Sequence, residues 1–143
     1  MGYHPMSEAE WWAFLVEAPR PAILSTVRAD GRPHSAPIWI DVEDGAIVFN
    51  TGDDTVKGRN LARDPRVSIV VQDDRPPFSF VLVEGTAELV DDLAEVKRVA
   101  TKIGGRYMGA DAAEQLGERN GVPGELVVRV VPTKVVSARD VAE

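Results

Sequence analysis

Residues 50–65 combine hydroxyl groups, glycines and cations in a segment that could bind an anion. An apolar stretch at 46–49 leads into this segment, and a second apolar stretch at 67–71 follows it. The pattern is typical of one short helix between two strands. A helix N-terminus presents unpaired N–H groups and partial positive charge, so it can hold a phosphate. A solvated surface helix is the alternative interpretation of the same residues.

Three side chains near the start of this helix would contact the anion. Thr51 and Thr55 supply hydroxyl donors, and Lys57 supplies a full positive charge. Threonine also serves as a helix N-cap, so a purely structural role is the alternative for both. Asp53 and Asp54 lie just upstream and would repel a phosphate, unless one of them caps the helix or pairs with a nearby cation. Lys57 is therefore the strongest candidate.

The remaining composition excludes several other kinds of site. The chain has no cysteine, which rules out disulfides, thiolate catalysis and cysteine metal sites, and only His4 and His34 carry imidazole. No serine–histidine–acid set, pair of catalytic carboxylates or glycine-rich phosphate loop stands out. We therefore expect no metal site and no assignable catalytic side chain, an absence that fits a protein whose cofactor supplies the chemistry.

Length and charge indicate one globular domain that spans residues 1–143. Hydrophobic residues make up 44% of the chain and charged residues 27%, which are ordinary values for such a domain. The net charge of −7 disfavours nucleic acid as the main partner. No apolar run reaches the length of a membrane span, and residues 1–10 lack the pattern of a secretory signal. A cytoplasmic location is the expectation.

Hydrophobic periodicity predicts six strands joined mainly by hairpins, together with four helices. Pro37 indicates that the second strand lies at a sheet edge or a bulge, and the pair Glu84 and Gly85 indicates a bulge in the fifth strand. Gly104 and Gly105 should end the third helix, and Asp111 should cap the fourth. The expected strands are 22–28, 33–42, 46–50, 66–72, 78–89 and 125–136, and the expected helices follow Ser7 or lie within 50–65, 91–103 and 111–119.

This pattern indicates an α+β fold, and a closed or split barrel best hides so many strand edges. Four motifs occur in order: AILSTV at 22–27, DGRPHSAPIW at 30–39, TVKGRNLARDPRV at 55–67 and VEGTA at 83–87. Together they resemble the pyridoxamine-phosphate-oxidase-like split β-barrel flavoproteins. Within that family they are most similar to the deazaflavin-dependent class B branch, which binds coenzyme F420. The resemblance covers residues 7–137.

The resemblance implies a six-stranded antiparallel split β-barrel, the FMN-binding split barrel, with peripheral helices. It also implies a homodimer with two cofactor sites at the subunit interface. Lys57 matches the lysine that contacts the cofactor phosphate, Thr51, Thr55 and Arg59 lie where neighbouring contacts are made, and Asn60 begins the Asn-Leu-x-x-Asp-Pro signature. The strand that runs beside the tricyclic ring corresponds to Ser35, Ala36, Pro37, Ile38 and Trp39.

Several of these residues have alternative roles. Arg59 could bridge to a nearby carboxylate, and Asn60 could hold the backbone of its own turn. Trp39 could fill the dimer interface, where aromatic side chains are enriched, instead of contacting a ring. The segment at Arg106 and Tyr107 resembles one that reaches the site from the C-terminal half. Thr55 departs from relatives that carry a cation at this position, so Lys57 carries more of the phosphate assignment.

The leading hypothesis is an F420-dependent oxidoreductase. It would transfer a hydride from reduced deazaflavin to an unsaturated or quinone-like small molecule, with Tyr107 or solvent supplying the proton. An FMN-binding split-barrel oxidoreductase is one alternative, and a non-catalytic protein that binds or carries a cofactor or a tetrapyrrole is another. The chain is shorter than true pyridoxamine-phosphate oxidases and lacks their C-terminal Arg-x-His arrangement, so that activity is not expected.

Overall fold

Residues 4–143 are described by a computed structural model and form four helices and seven strands. The predicted capping box is present, because the Ser7 hydroxyl accepts the N–H of Glu10 at 3.2 Å and the Glu10 carboxylate accepts the N–H of Ser7 at 3.0 Å. None of the helices in this range is long and apolar enough to cross a membrane. The helices are α1 (Glu8–Val16), α2 (Val56–Arg63), α3 (Leu93–Met108) and α4 (Ala110–Asn120), and the strands are β1 (Ala22–Val27), β2 (Pro33–Ile38), β3 (Asp41–Glu43), β4 (Ala46–Gly52), β5 (Arg66–Asp73), β6 (Ser79–Val90) and β7 (Glu125–Ala138).

The strands form one antiparallel sheet in the order β2-β1-β5-β6-β7-β4-β3. β2 and β3 lie at opposite ends of this order, although only Trp39 and Ile40 separate them in the chain. Two residues cannot span the width of a flat sheet, so the sheet curls until its edges approach each other. The predicted split barrel is therefore confirmed.

The prediction of a single strand at 33–42 is wrong. The chain leaves one edge of the sheet after Ile38 and joins the other edge at Asp41, so residues 4–143 contain seven strands instead of six. Pro37 lies on β2 at a sheet edge, as predicted, where a missing N–H donor is tolerated. Periodicity could not reveal this break, because the alternation of side chains continues through it.

The barrel interior forms the main hydrophobic core. Buried and exposed side chains alternate along the strands, as in β1, where Leu24 is buried and the neighbouring Ile23 is 43% exposed. Helix α1 adds Phe14 and Leu15 to this core, and α2 adds Leu61. Both helices are thereby anchored to the barrel.

Helix α3 covers the outer face of β4 and of the start of β7. Its apolar side chains form a second buried cluster with one outward side chain from each of these strands. In residues 4–143 no helix forms such a cluster with the outward side chains of β2, β1 and β5, so that face of the barrel stays open. The second cluster contains Val96, Val99 and Ile103 with Val48 and Val127.

The expected end of the third helix at Gly104 and Gly105 is wrong, because α3 continues to Met108. A Cβ atom at Gly104 would lie 2.7 Å from the Cβ of Leu116 on α4. The two glycines therefore permit close packing of α3 on α4 and do not end the helix. The chain turns only at Gly109, whose φ of 98° favours glycine.

The expected cap at Asp111 is also wrong. Gly109 occupies the N-cap position of α4, no side chain caps this helix, and Asp111 lies in its first turn. The predicted bulge in β6 is confirmed, since the β6–β7 register shifts between Glu84 and Gly85. A Cβ at Gly85 would overlap the carbonyl oxygen of Val131, which explains the glycine.

Candidate functional site

The turn from β4 into α2 is held by its own hydroxyl groups. Thr55 is the N-cap of α2, and its hydroxyl accepts the N–H of Gly58 at 3.0 Å and donates to the carbonyl of Gly52 at 2.9 Å. The buried Thr51 hydroxyl lies 2.9 Å from that of Thr55. Both hydroxyls are therefore used within the turn, and their predicted contact with a phosphate stays a prediction.

A cleft of about 400 Å³ opens beside this turn. Part of its lining comes from the end of β2 and the Trp39 connection, and another part comes from apolar residues of α3. Polar groups come from β4, α2 and α4. The lining residues are Pro21, Pro37, Ile38, Trp39, Asn50, Lys57, Ala100, Ile103, Gly104 and Asn120. The structure thus brings Lys57 together with three of the five predicted strand residues.

Lys57 is the cation of this cleft. Among residues 4–143 no carboxylate lies within 4.0 Å of its ammonium group. It lies in the first turn of α2, where the first backbone N–H groups have no acceptor within the helix. An ammonium group therefore lies beside a helix N-terminus in the lining of an otherwise largely apolar cleft, an arrangement that suits an anionic ligand.

Carboxylates lie close to Lys57. Burial, and then the negative charges of Asp54 and Asp53, raise the pKa of Glu125 above its usual value, while Lys57 opposes that shift. Asp53 and Asp54 are exposed, and neither caps α2, because Thr55 does so. Within the described chain neither forms an ion pair with Arg59 or Lys57. Their negative charge therefore weakens the attraction of this region for an anion.

Trp39 forms the aromatic part of the cleft lining. Its side chain is 39% exposed, and its ring stacks on that of Tyr107 with centroids 5.0 Å apart and planes 5° apart. The Tyr107 hydroxyl donates to the carbonyl of Arg20 at 2.7 Å and accepts the N–H of Ile40 at 3.0 Å. Tyr107 does not line the cleft itself, so the predicted approach of this segment is indirect.

Arg106 lies next to Tyr107 and is engaged with the backbone. Its guanidinium donates to the carbonyls of Ile40 at 3.1 Å, Val16 at 2.9 Å and Ala18 at 2.9 Å. It thereby holds the end of α1 against the connection between β2 and β3. This role is structural and leaves little of the guanidinium for a ligand.

Ser35 and Ala36 lie further along β2 and do not line the cleft. The Ser35 hydroxyl is on the outer face of the sheet, 3.0 Å from that of Ser25 on β1, whereas Ala36 is half-buried on the inner face. A contact of these two residues with a ligand stays a prediction.

Arg59 and Asn60 lie on another side of α2 from the cleft. Asn60 is buried, donates to the Thr26 hydroxyl at 3.0 Å and accepts from Arg63 at 2.9 Å. Arg59 is exposed beside a second depression of about 320 Å³, which Arg28, Arg32 and Arg63 also line. The structure therefore does not bring Arg59 and Asn60 together with Lys57, and their predicted contacts stay predictions.

Sequence reasoning missed the contribution of the other elements to the cleft. Asn50 stands at the start of the segment that suggested the site, so its position was a usable signal. The residues from α3 and α4 carry no such signal in the sequence, because they reach the cleft only through helix packing. They are Ala100, Ile103, Gly104 and Asn120.

Comparison with known proteins adds independent information. The family model described as Pyridoxamine 5′-phosphate oxidase matches residues 8–137. A pyridoxine/pyridoxamine 5′-phosphate oxidase of Cupriavidus taiwanensis is 34% identical over 133 residues, which cover 87% of this chain and 59% of the relative. The chain therefore spans only about 59% of the length of that curated relative.

Two solved structures extend this similarity. A conserved hypothetical protein from Mycobacterium tuberculosis has a TM-score of 0.82 and 31% identity, covering 94% of this chain and 86% of its own. An F420 reductase has a TM-score of 0.69 and 27% identity, covering 86% of this chain and 94% of its own. The similarity to both structures therefore extends through most of each chain.

Proposed function

Because this chain belongs to the pyridoxamine 5′-phosphate oxidase family, we propose that it is an oxidoreductase that uses coenzyme F420. In this proposal it transfers a hydride from reduced deazaflavin to an unsaturated or quinone-like small molecule. The observation that carries the proposal is the cleft that Pro37, Ile38 and Trp39 line together with Lys57, which has no ion-pair partner in residues 4–143. The similarity to an F420 reductase supports the choice of cofactor.

The residues that line the cleft fit a molecule with a planar ring and an anionic end. Lys57 and the first turn of α2 would hold the phosphate, since charge-assisted hydrogen bonds to phosphate are among the stronger ones. Pro37, Ile38 and Trp39 would lie along the ring on one side, with the apolar residues of α3 on the other. A volume of about 400 Å³ lies within the usual range for small-molecule sites.

The chain's own residues would bind and orient, while the bound deazaflavin would supply the hydride. No carboxyl, imidazole or phenol group is among the residues that line the cleft in the described chain. Tyr107 directs its hydroxyl proton to the Arg20 carbonyl, so it is poorly placed to give that proton to a substrate. Solvent is therefore the proposed source of the proton.

The acidic tail of F420 distinguishes it from FMN and calls for cations beyond Lys57. Arg63 and Arg66 already have partners in Asn60 and Asp64. Arg59 has no carboxylate within 4.0 Å in residues 4–143 and is exposed near α2. We therefore expect Arg59→Ala to weaken F420 binding more than FMN binding.

A homodimer is part of the proposal. The registered residues Pro37, Ile23, Val70, Leu82 and Val136 form a row across five neighbouring strands, on the face of the barrel that no helix of residues 4–143 covers. Burying such a row against a second copy would remove apolar surface from water. Because Pro37 also lines the cleft, a second copy on this face would lie next to the cofactor site.

Titration of the purified protein with F420 and with FMN, followed by fluorescence, tests the cofactor. We expect micromolar or tighter binding of F420 and weaker binding of FMN. Absence of F420 binding at these concentrations would overturn the proposal. A yellow protein with a flavin spectrum would favour the FMN-dependent alternative. Tight F420 binding without turnover over a broad panel of unsaturated and quinone acceptors would favour the carrier alternative.

A further inference from the structure

The connection between β2 and β3 depends on contacts from α3. At Trp39 and Ile40 the chain passes from one edge of the sheet to the other, and neither residue belongs to a strand ladder. The Ile40 side chain is fully buried, so its backbone polar groups need partners inside the protein. The side chains of the last turn of α3 provide those partners.

Tyr107 and Arg106 each bind one backbone group of Ile40. The Tyr107 hydroxyl accepts the Ile40 N–H at 3.0 Å, and Arg106 Nε donates to the Ile40 carbonyl at 3.1 Å. The Tyr107 hydroxyl also donates to the Arg20 carbonyl at 2.7 Å, next to Pro21 of the cleft lining. One phenol group therefore fixes two backbone segments that carry cleft residues.

The Tyr107 ring has a second contact, with the indole of Trp39. The two rings are nearly parallel, with planes 5° apart and centroids 5.0 Å apart. One face of the indole is thus supported by protein, yet the side chain stays 39% exposed and lines the cleft. An exposed aromatic ring held in this way is ordered before a ligand arrives, which reduces the entropy lost on binding.

We propose that Tyr107 is a positioning residue that sets the plane of Trp39, so that the indole forms a preformed aromatic wall for the planar ring of a bound molecule. Tyr107 acts through Trp39 and through the backbone of Ile40, and it does not exchange a proton with the substrate. The identity of the planar molecule rests on the proposed function, whereas the ordering of Trp39 does not.

The test uses a chain in which Trp39 is the only tryptophan. Trp11→Phe and Trp12→Phe remove the other two indoles, and both positions are partly buried in α1, where phenylalanine preserves an aromatic side chain. In this background Tyr107→Phe keeps the ring without the hydroxyl, and Tyr107→Leu removes the ring. The measurements are the fluorescence anisotropy of Trp39 without ligand and the dissociation constants for F420 and FMN. Circular dichroism checks folding.

We expect Tyr107→Leu to lower the anisotropy of Trp39 and to weaken binding of the planar cofactor by about 3- to 10-fold, the usual size of an aromatic contact. Tyr107→Phe should restore both values most of the way. An unchanged anisotropy of Trp39 in a folded Tyr107→Leu variant would overturn the proposal. Circular dichroism shows whether the variant is folded.

A second variant keeps the proposal falsifiable if Tyr107→Leu does not fold. Trp39→Leu changes a partly exposed side chain and should leave the fold intact while lowering cofactor affinity to a similar extent. Unchanged affinity in this variant would overturn the role of the wall. If the parent chain binds neither F420 nor FMN, the proposed function fails, and the anisotropy without ligand still decides whether Tyr107 orders Trp39.

Discussion

At the scale of single residues, the surroundings of Lys57 determine how strongly the cleft attracts an anion. No carboxylate pairs with its ammonium group in the described chain, so its charge is free for a ligand. The Thr51 and Thr55 hydroxyls instead stabilise the turn. Lys57 therefore carries most of the phosphate assignment, as the departure at Thr55 suggested.

The first prediction concerns Lys57→Ala. We expect this variant to stay folded, because Lys57 takes part in no ion pair, and to lose roughly 10- to 100-fold in cofactor affinity, the usual value of a charge-assisted hydrogen bond. Fluorescence titration measures the loss. Lys97→Ala is the matched control, since it removes the same charge from an exposed position on α3. Equal affinities in the two variants would show that the phosphate binds elsewhere.

Glu125 gives a prediction about pH. Because burial and the charges of Asp54 and Asp53 raise its pKa in the folded protein, folding favours the protonated form. The contribution of Glu125 to stability is fully present below the pKa that this residue has in the unfolded chain. It is lost as pH rises through the pKa of Glu125 in the folded protein. Glu125→Gln should therefore stabilise the protein at pH 7, by less than about 1 kcal/mol.

Urea unfolding at several pH values measures this effect. The gain from Glu125→Gln should shrink as pH falls towards the ordinary range of a glutamate. Removing a carboxylate near Lys57 should also strengthen binding of the anionic cofactor at neutral pH. A variant that is less stable than the parent at pH 7 would contradict the assignment of Glu125 as a destabilised carboxylate.

At the scale of elements, α3 lines the cleft and also binds the β2–β3 connection that carries Trp39. It runs through Gly104 and Gly105 because α4 packs against them, and its last turn reaches the β2–β3 connection. In its middle turns, Arg98 and Lys102 bind the Glu43 carboxylate of β3 at 2.8 Å. Helix α3 is thus attached to the short edge strand by charge as well as by packing.

Glu43→Gln tests this attachment. Hydrogen bonds from Arg98, with a contribution from Lys102, lower the pKa of Glu43 to about 2, and its side chain is only 9% exposed. Since the folded pKa is depressed, the stabilisation is present above the ordinary value of 4.5 and is lost as pH falls towards 2. At pH 7 the variant should lose roughly 1–2 kcal/mol of unfolding free energy.

The difference in unfolding free energy between Glu43→Gln and the parent should become smaller as pH falls from 4.5 towards 2, as measured by chemical denaturation. Glu88→Gln on β6 is a suitable control, because Glu88 is exposed and forms no ion pair in residues 4–143. A difference that stays constant over this pH range would contradict the proposed electrostatic attachment.

At the scale of the whole molecule, the helices of residues 4–143 cover one side of the barrel and leave another side open. Helix α3 covers β4 and the start of β7, while the apolar row, which includes Ile23 and, near the end of β7, Val136, stays partly exposed. The open face reaches Pro37, and therefore the edge of the cleft. This continuity is the structural support for a dimer whose partner lies beside each cofactor site.

Ile23→Glu should disrupt such a dimer. A carboxylate in the middle of a buried apolar row cannot be solvated or paired, which costs several kcal/mol per site. Light scattering should give a dimer for the parent and a monomer for the variant, with weaker cofactor binding in the variant. Leu93→Glu on α3 is the control, since Leu93 is 47% exposed and lies outside the row. A monomeric parent would contradict the prediction.

The sequence by itself determined the α+β class, the positions of most strands, the bulge at Gly85 and the short helix that carries Lys57. These features follow from local hydrophobic periodicity, turn residues and helix capping, which act over a few neighbouring residues. The strand pattern favoured a closed or split barrel, and the resemblance to a family chose the split barrel.

Only the tertiary structure decided which side chains share the cleft. Packing of α3 and α4 brings Ile103 and Asn120 to Lys57, and the curl of the sheet breaks the chain at Trp39. Helix geometry sends Arg59 to a different side of α2, although it lies only two positions from Lys57. Apart from the direction of Arg59, which follows from the helix period alone, these outcomes depend on contacts between residues far apart in the chain, which no local pattern encodes.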